Sequence, residues 1–311
     1  MVLSHGSDQA EGLRRVLARH AQAGVMQTLV VIGAPGIGKT SCVINIGAEL
    51  DAQGLPLRCI DSERAGDGPD DAETLLVLSP GIDAITRARV TLAVGLNRRF
   101  HPNMIELARR ARDGTLGTIG TINAELTAAT GFHRPGTSWR VNATEEPAGA
   151  MVSIGVHLVD AMMHIAGRVR EVVCVAANRG GPHGDDTTHL MLQFDSGVTG
   201  LIYCSVAAAR NHRIAVYGTK GFAEVLKPQM DTFRFIPVVE GHASHLARIP
   251  EPEVIEVPGF NYVGQSLKTF AHCIRDGLPY PISTTDILHG VAVLEAAIRS
   301  AATKKPVQVT D

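Results

Sequence analysis

Residues 33–40 read Gly33-Ala34-Pro35-Gly36-Ile37-Gly38-Lys39-Thr40, which satisfies the pattern G-x-x-x-x-G-K-[ST]. In that pattern glycines let successive backbone N–H groups turn toward phosphate oxygens, and the N-terminus of the following helix adds partial positive charge. Lys39 then reaches the terminal phosphates and the Thr40 hydroxyl ligates Mg²⁺, so the expected ligand is ATP with Mg²⁺. A second pattern overlaps the first: Gly36, Gly38 and Ser41 stand as G-x-G-x-x-S, and Asp61 follows about 20 residues on, where a ribose-binding acid of a dinucleotide fold lies. That reading calls for NAD or NADP. It places Ser41 where Gly or Ala would allow close helix–sheet packing, and it leaves Lys39-Thr40 unexplained, so the phosphate loop accounts for more of the residues.

The other chemistry-bearing group lies far along the chain. His157, Asp160 and His164 are spaced i, i+3, i+7, which sets them near one face of a helix. On that spacing alone, a histidine satisfied by Asp160 in a domain interface is a better reading than a reactive one. Arg98 and Arg99 offer bidentate forks to a cofactor phosphate or a substrate carboxylate, or they are exposed loop arginines. His183, His189, His242 and His245 lack regular metal spacing, so no metal centre is expected, and His183 with Asp185-Asp186 reads as a solvated turn.

These residues need elements to hold them. The run Thr28–Gly33 is continuously apolar, suiting a strand of a parallel sheet buried on both faces. The loop opens a helix to about Gln53, and Leu57–Asp61, Thr74–Leu78 and Thr91–Gly95 read as further strands, with a short helix at Ile82–Arg89. Then the pattern changes. Helices are expected at Asn103–Arg112 and Gly155–Ile165, with strands at Thr118–Thr127, Glu171–Ala177, Thr187–Phe194, Val198–Val206, Arg213–Tyr217 and Phe222–Leu226. Polar turns such as Asp195-Ser196-Gly197 separate the later strands, the signature of antiparallel hairpins. Two helices, Val263–Ile274 and Thr285–Ala301, close the chain. The fold class is therefore α/β: a small parallel-sheet nucleotide-binding domain over 1–92, then an α+β domain over 93–311 with a large, mostly antiparallel open sheet.

Composition sets the class of partner. Hydrophobic residues make up 45% and charged residues 19%, enough apolar content for a substantial core, and the formal net charge of -2 comes with no long basic block. A small-molecule substrate is expected, not nucleic acid. The five cysteines are scattered with no C-x-x-C, which fits a reduced, cytoplasmic protein. No run of 18 apolar residues occurs, so no membrane partner is expected.

Two family resemblances can be read from motifs. Gln9–Arg14, Thr28–Leu50 and Leu76–Thr86 resemble pieces of MinD/ParA-type ATPases, the flagellar-number regulators above all. The signature lysine early in that family's loop is Ala34 here, and no strand ending in Asp lies between Glu63 and Leu75. From Thr91 onward the chain resembles the Gfo/Idh/MocA oxidoreductases, through Val94–Pro102, Gly114–Ile119, Trp139-Arg140, Ala148–Met151, Gly155–Asp160 and Gly218–Gly221. The resemblance implies a nicotinamide cofactor, NAD or NADP, and oxidation or reduction of a sugar, polyol or related hydroxy compound. It implies His157 as the catalytic histidine with Asp160 and Ser153 beside it, Arg98, Arg99, Trp139 and Arg140 toward substrate, and a homo-oligomer formed through the open face of the sheet. Ser153 replaces the family aspartate four residues before His157, and the family's E-K-P lysine, due just before Thr91, is absent: no lysine lies between Thr40 and Thr219. A chain spliced from the two families is a third reading.

Overall fold

In the computed structural model, residues 59–61, 75–77, 92–136, 147–239 and 250–310 are described. They fall into two compact units, one running to Gly95 and taking in Val263–Thr284, the other comprising Leu96–Tyr262 and Thr285 to the C-terminus. The sequence-based division at residue 92 did not include this return of 263–284 to the first unit.

In the first unit, β1 (Cys59–Asp61) and β2 (Leu75–Val77) pair in parallel, with Asp61 opposite Val77. Parallel pairing demands a crossover rather than a hairpin, consistent with an α/β front. Of the strand expected over Thr91–Gly95, Leu92 makes a bridge and residues 93–95 are not strand, while Thr91 lies outside the described residues. The helix Tyr262–Asp276 buries Phe270, Ala271, Cys273 and Ile274 on one stripe, and Phe270 meets Tyr280 edge-on with ring centroids 5.7 Å apart. The expected strand 28–33, its loop and its helix lie outside the described residues.

The second unit is built on a nine-stranded sheet among the described residues. Its strands are β3 (Ile119–Thr127), β4 (Val169–Ala177), β5 (Thr187–Phe194), β6 (Thr199–Ser205), β7 (Asn211–Gly218), β8 (Gly221–Leu226), β9 (Thr232–Pro237), β10 (Glu253–Glu256) and β11 (Val307–Gln308). The order is β10-β9-β8-β7-β3-β6-β5-β4-β11, antiparallel throughout except for the β3–β6 pair. The first six match the expected strands within a few residues. β9, β10 and β11 were not anticipated and extend the sheet at its two edges.

Period-two alternation gives the sheet two different faces. One face carries Ile122, Ala124, Leu126, Val172, Leu190, Leu192, Ile202, Ile214, Val216 and Val225, all buried in one core. Three helices of this unit contribute to that core: α1 (Pro102–Arg112) through Met104 and Leu107, α2 (Val156–Ala166) through Leu158, Val159 and Met162, and the C-terminal helix Thr284–Thr303 through Val293, Ala296 and Ala297. On the other face Val175, Met191 and Leu201 are 58%, 38% and 43% exposed. Toward β8, Glu224 on that second face is fully buried between Arg213 and Arg234, both of which donate to its carboxylate. Among the described residues no helix is long and apolar enough to cross a membrane.

Candidate active site

The helix that carries His157 does not begin as an ordinary α-helix. Residues Met151–Gly155 form a π-helical turn that runs directly into α2. Such turns widen the backbone locally and are frequent at functional sites, because they re-aim the side chains that follow. Just before it, Ala148 and Gly149 both take positive φ, 58° and 62°, and Thr188 Oγ1 anchors the Ala148 carbonyl at 2.6 Å. A non-glycine residue in that region carries strain that the surrounding structure must hold. Gly155 is required by close approach, since a Cβ there would lie 2.7 Å from Met151 Sδ and 3.0 Å from Cys204 Sγ. Seating the turn against β6 in this way sets where His157 begins the helix.

The three residues read as one face divide their contacts. Asp160 is buried and takes a bidentate pair from Arg99, with Nε at 2.9 Å and Nη2 at 2.6 Å to Oδ1. Arg99 Nη1 also reaches His164 Nδ1 and Asp286 Oδ2, each at 3.2 Å. Burial pushes the Asp160 carboxyl up, and the Arg99 guanidinium opposes that shift by favouring the charged form. His157 takes no part in this network. Its Nδ1 is buried with no hydrogen-bond partner among the described residues, and the same is true of Ser153 Oγ. Asp160 therefore does not satisfy His157, and no hydrogen bond joins Ser153 to the imidazole. His157 is held down to about 4 by burial and by the nearby Arg98 charge, so its ring is neutral at physiological pH.

Arg98 and Arg99, adjacent in sequence, thus face different surroundings. They sit on the 3₁₀ turn Asn97–Phe100. Arg99 is consumed by the ion pair with Asp160. Arg98 has a buried Nε with no partner among the described residues, and its Nη1 touches only the Met230 sulfur at 3.9 Å. Two further histidines lie in this neighbourhood. His101 is wholly buried, caps α1 by accepting from Asn103 N–H at 3.1 Å on Nδ1, and leaves its buried Nε2 without a partner among the described residues. His212 on β7 is buried, and burial together with the charges of Arg98, His101 and His157 drives its pKa well below the ordinary value. Sequence reasoning missed His212. The available signal was its alternation with Ile214 and Val216, which turns all three toward the helix-covered face.

The other expected site residues divide by location. Trp139 and Arg140, together with Gly33, Gly36, Gly38, Lys39 and Thr40, lie outside the described residues. Asp61 is placed only by its backbone, at the end of β1. Asp186, read with His183 and Asp185 as part of a solvated turn, is instead buried and spends its carboxylate on the N–H groups of Arg179, Gly180 and Gly181 and on the Thr187 hydroxyl, which closes the loop before β5.

The arrangement offers a neutral imidazole, a hydroxyl and a guanidinium with unspent hydrogen-bonding capacity, in low-dielectric surroundings where the Asp160 carboxylate of the same helix is already paired with Arg99. Such a set suits proton transfer at a substrate hydroxyl.

Comparison with known proteins places this region. Residues 104–224 match the family model described as the GFO/IDH/MocA C-terminal domain, a span that includes Ser153, His157 and Asp160. The trans-1,2-dihydrobenzene-1,2-diol dehydrogenase of Bos taurus is 29% identical over 184 residues, 58% of this chain and 52% of that protein. The rhizopine catabolism protein MocA of Rhizobium meliloti is 26% identical over 266 residues, 80% of this chain and 69% of that protein. The chain thus spans about half the length of the bovine enzyme. Among solved structures, levoglucosan dehydrogenase in complex with NADH and levoglucosan superposes with a TM-score of 0.74 at 15% identity, over 92% of this chain and all of that one (100%). That likeness is one of fold. The MocA match is longer than the segment from Thr91 to the C-terminus and so reaches into the N-terminal part. The resemblance of that part to MinD/ParA-type ATPases finds no support in these comparisons.

Proposed function

We propose that this chain is a nicotinamide-dependent oxidoreductase of the Gfo/Idh/MocA type, acting on a secondary alcohol of a sugar, polyol or related hydroxy compound. The observation that carries the reading is the family-domain match over residues 104–224, which contains His157 in the first turn of the helix that follows the π-turn. The bovine relative is a dehydrogenase of trans-1,2-dihydrobenzene-1,2-diol, and the levoglucosan dehydrogenase structure holds NADH with levoglucosan; both are consistent with alcohol chemistry.

In this reading His157 is the general base. It is neutral above about pH 4 and so is free to take the hydroxyl proton as the carbinol C–H leaves as hydride. A bound nicotinamide supplies the hydride acceptor. The described residues fit the substrate side of such a site, since the groups left unpaired there, Ser153 Oγ, His157 Nδ1 and Arg98 Nε, include no carboxylate that would repel an alkoxide. Ser153 Oγ offers a hydrogen bond to the hydroxyl oxygen, and the Arg98 charge favours the developing alkoxide electrostatically. The residues that would hold the cofactor are Gly33, Gly36, Gly38, Lys39, Thr40 and Asp61, with Trp139 and Arg140 toward substrate. The strand ending at Asp61 in a parallel pair is where a ribose-binding acid belongs. Without the E-K-P lysine the deprotonation rests on His157 alone, and turnover is expected to be slow.

Calorimetric titration tests the reading. NADH or NADPH is expected to bind, and ATP with Mg²⁺ is not. Binding of ATP alone, lost on Lys39→Ala, would replace it with the phosphate-loop reading carried by residues 33–40.

The same reading assigns the open sheet face to a second copy of the chain. Val175, Met191 and Leu201 lie beside the stacked pair His189–Tyr203, whose ring centroids are 5.0 Å apart, and together they form a contiguous apolar patch. Light scattering on the purified protein is expected to give a dimer or larger, and Leu201→Lys to give monomer. A monomer in both cases would remove the assignment.

A further inference from the structure

Arg98 is the exception among the inward-lying arginines of its unit. Arg99 holds Asp160, Arg110 holds Glu106 and Glu253, and Arg213 and Arg234 hold Glu224. Each of these guanidiniums meets a carboxylate, and for the two that are withdrawn from water, Arg99 and Arg110, the cost of burying the charge requires it. Arg98 has no such partner. Its Nε is buried and bound to nothing among the described residues, and its one contact is the Met230 thioether. That contact is itself fixed, because Asn103 Nδ2 donates to the carbonyls of both Met230 and Asp231 at 2.8 Å. Asp231 makes no ion pair with Arg98, and its Oδ1 accepts from Gly259 N–H at 3.3 Å. The groups facing Arg98 are neutral or cationic at physiological pH: the Tyr262 phenol favours its charge, His157 and His212 feel it, and Arg210 adds a like charge of its own.

We propose that Arg98 is the anchor for a carboxylate carried by the substrate, so that the compound oxidised at His157 is a polyhydroxy acid and not a neutral sugar. A guanidinium fork recognises carboxylate with two parallel N–H···O bonds, and the half-buried Arg98, its Nε withdrawn from water with no protein anion beside it, has those bonds to offer. The inference rests on the oxidoreductase reading for its chemistry, but the anion site stands on Arg98 alone. It also couples binding to catalysis. Burial is the larger cause that holds the His157 imidazole down, and a carboxylate on Arg98 offsets the charge that adds to it, so an acid substrate strengthens the base that acts on it in a way a neutral polyol does not.

The experiment is calorimetric titration of the full chain with matched acid–polyol pairs: glycerate against glycerol, threonate against threitol, gluconate against glucitol. NADH and NADPH are titrated in parallel. At least one acid is expected to bind ten times or more tighter than its polyol. Arg98→Met is expected to abolish that preference and leave dinucleotide binding unchanged, and Arg98→Lys to retain part of it. The wild-type comparison holds even if Arg98→Met does not fold. Equal binding within every pair, or binding by none of the acids, overturns the proposal. So does an Arg98→Met variant that weakens NADH or NADPH and keeps the acid preference, because the anion is then a cofactor phosphate. An acid preference lost with Arg98, but with no turnover of any acid by NAD⁺ or NADP⁺, supports the anion site and removes the oxidoreductase reading instead.

Discussion

Replacing His157 by asparagine lowers kcat by about 10²–10⁴-fold, the range a positioned general base supplies, with KM changing little and the melting temperature within a few degrees of the parent. The small stability change follows from the contacts: Nδ1 of His157 has no hydrogen-bond partner among the described residues, so the substitution breaks no network. The pH dependence gives a second signature. A base must be unprotonated to act, and burial with the Arg98 charge holds His157 down to about 4, so the acid limb of kcat/KM falls near pH 4 and not near the ordinary histidine value. In the asparagine variant that limb disappears. A variant as active as the parent, or an unchanged limb, would assign the proton to another group.

Replacing Asp160 by asparagine has the opposite profile. The Arg99 guanidinium stays buried, 7% exposed at its side chain, with its bidentate partner gone and only the half-exposed Asp286 left at 3.2 Å. Removing one partner of a buried pair strands the other charge and costs about 3–5 kcal/mol. Thermal or urea unfolding reads that loss directly. The activity of the fraction still folded at low temperature is expected to stay within a few-fold of the parent, because Asp160 touches Arg99 and not His157. A large loss of kcat with unchanged stability would instead return Asp160 to the catalytic group in which its helical spacing first placed it.

The sheet was legible because its physics is local. β5 alternates over Thr187–Phe194 and turns through Asp195-Ser196-Gly197 into β6, so strand, turn and partner all lie within twenty or so residues of sequence. The edge strands were less so. β9 does alternate, with Phe233 turned inward, but it is short and bounded by Asp231 and Pro237. β10 reads Glu-Val-Ile-Glu, and its pairing with β9, not its own propensity, makes it a strand. The π-turn before His157 leaves no periodic mark in Met-Val-Ser-Ile-Gly.

In the site, the family motif identified His157, while helical spacing suggested Asp160 as its partner. The actual partner of Asp160 is Arg99, 61 residues away, and a contact at that separation is fixed by tertiary packing that no local pattern records. The difference between Arg98 and Arg99 was equally hidden. The two are adjacent and chemically identical, and only the 3₁₀ turn that points one at Asp160 and the other at Met230 separates their roles.

The measurement that meets the central claim most directly follows hydrogen itself. Acid and polyol substrates deuterated at the carbinol carbon are incubated with the protein and NAD⁺ or NADP⁺, and the nicotinamide is recovered and examined by NMR. The account predicts deuterium on the nicotinamide ring in stoichiometric match to ketone formed, and none with the His157→Asn variant. Ketone without ring deuterium, or no label transferred by the parent protein from any substrate with either cofactor, would contradict it.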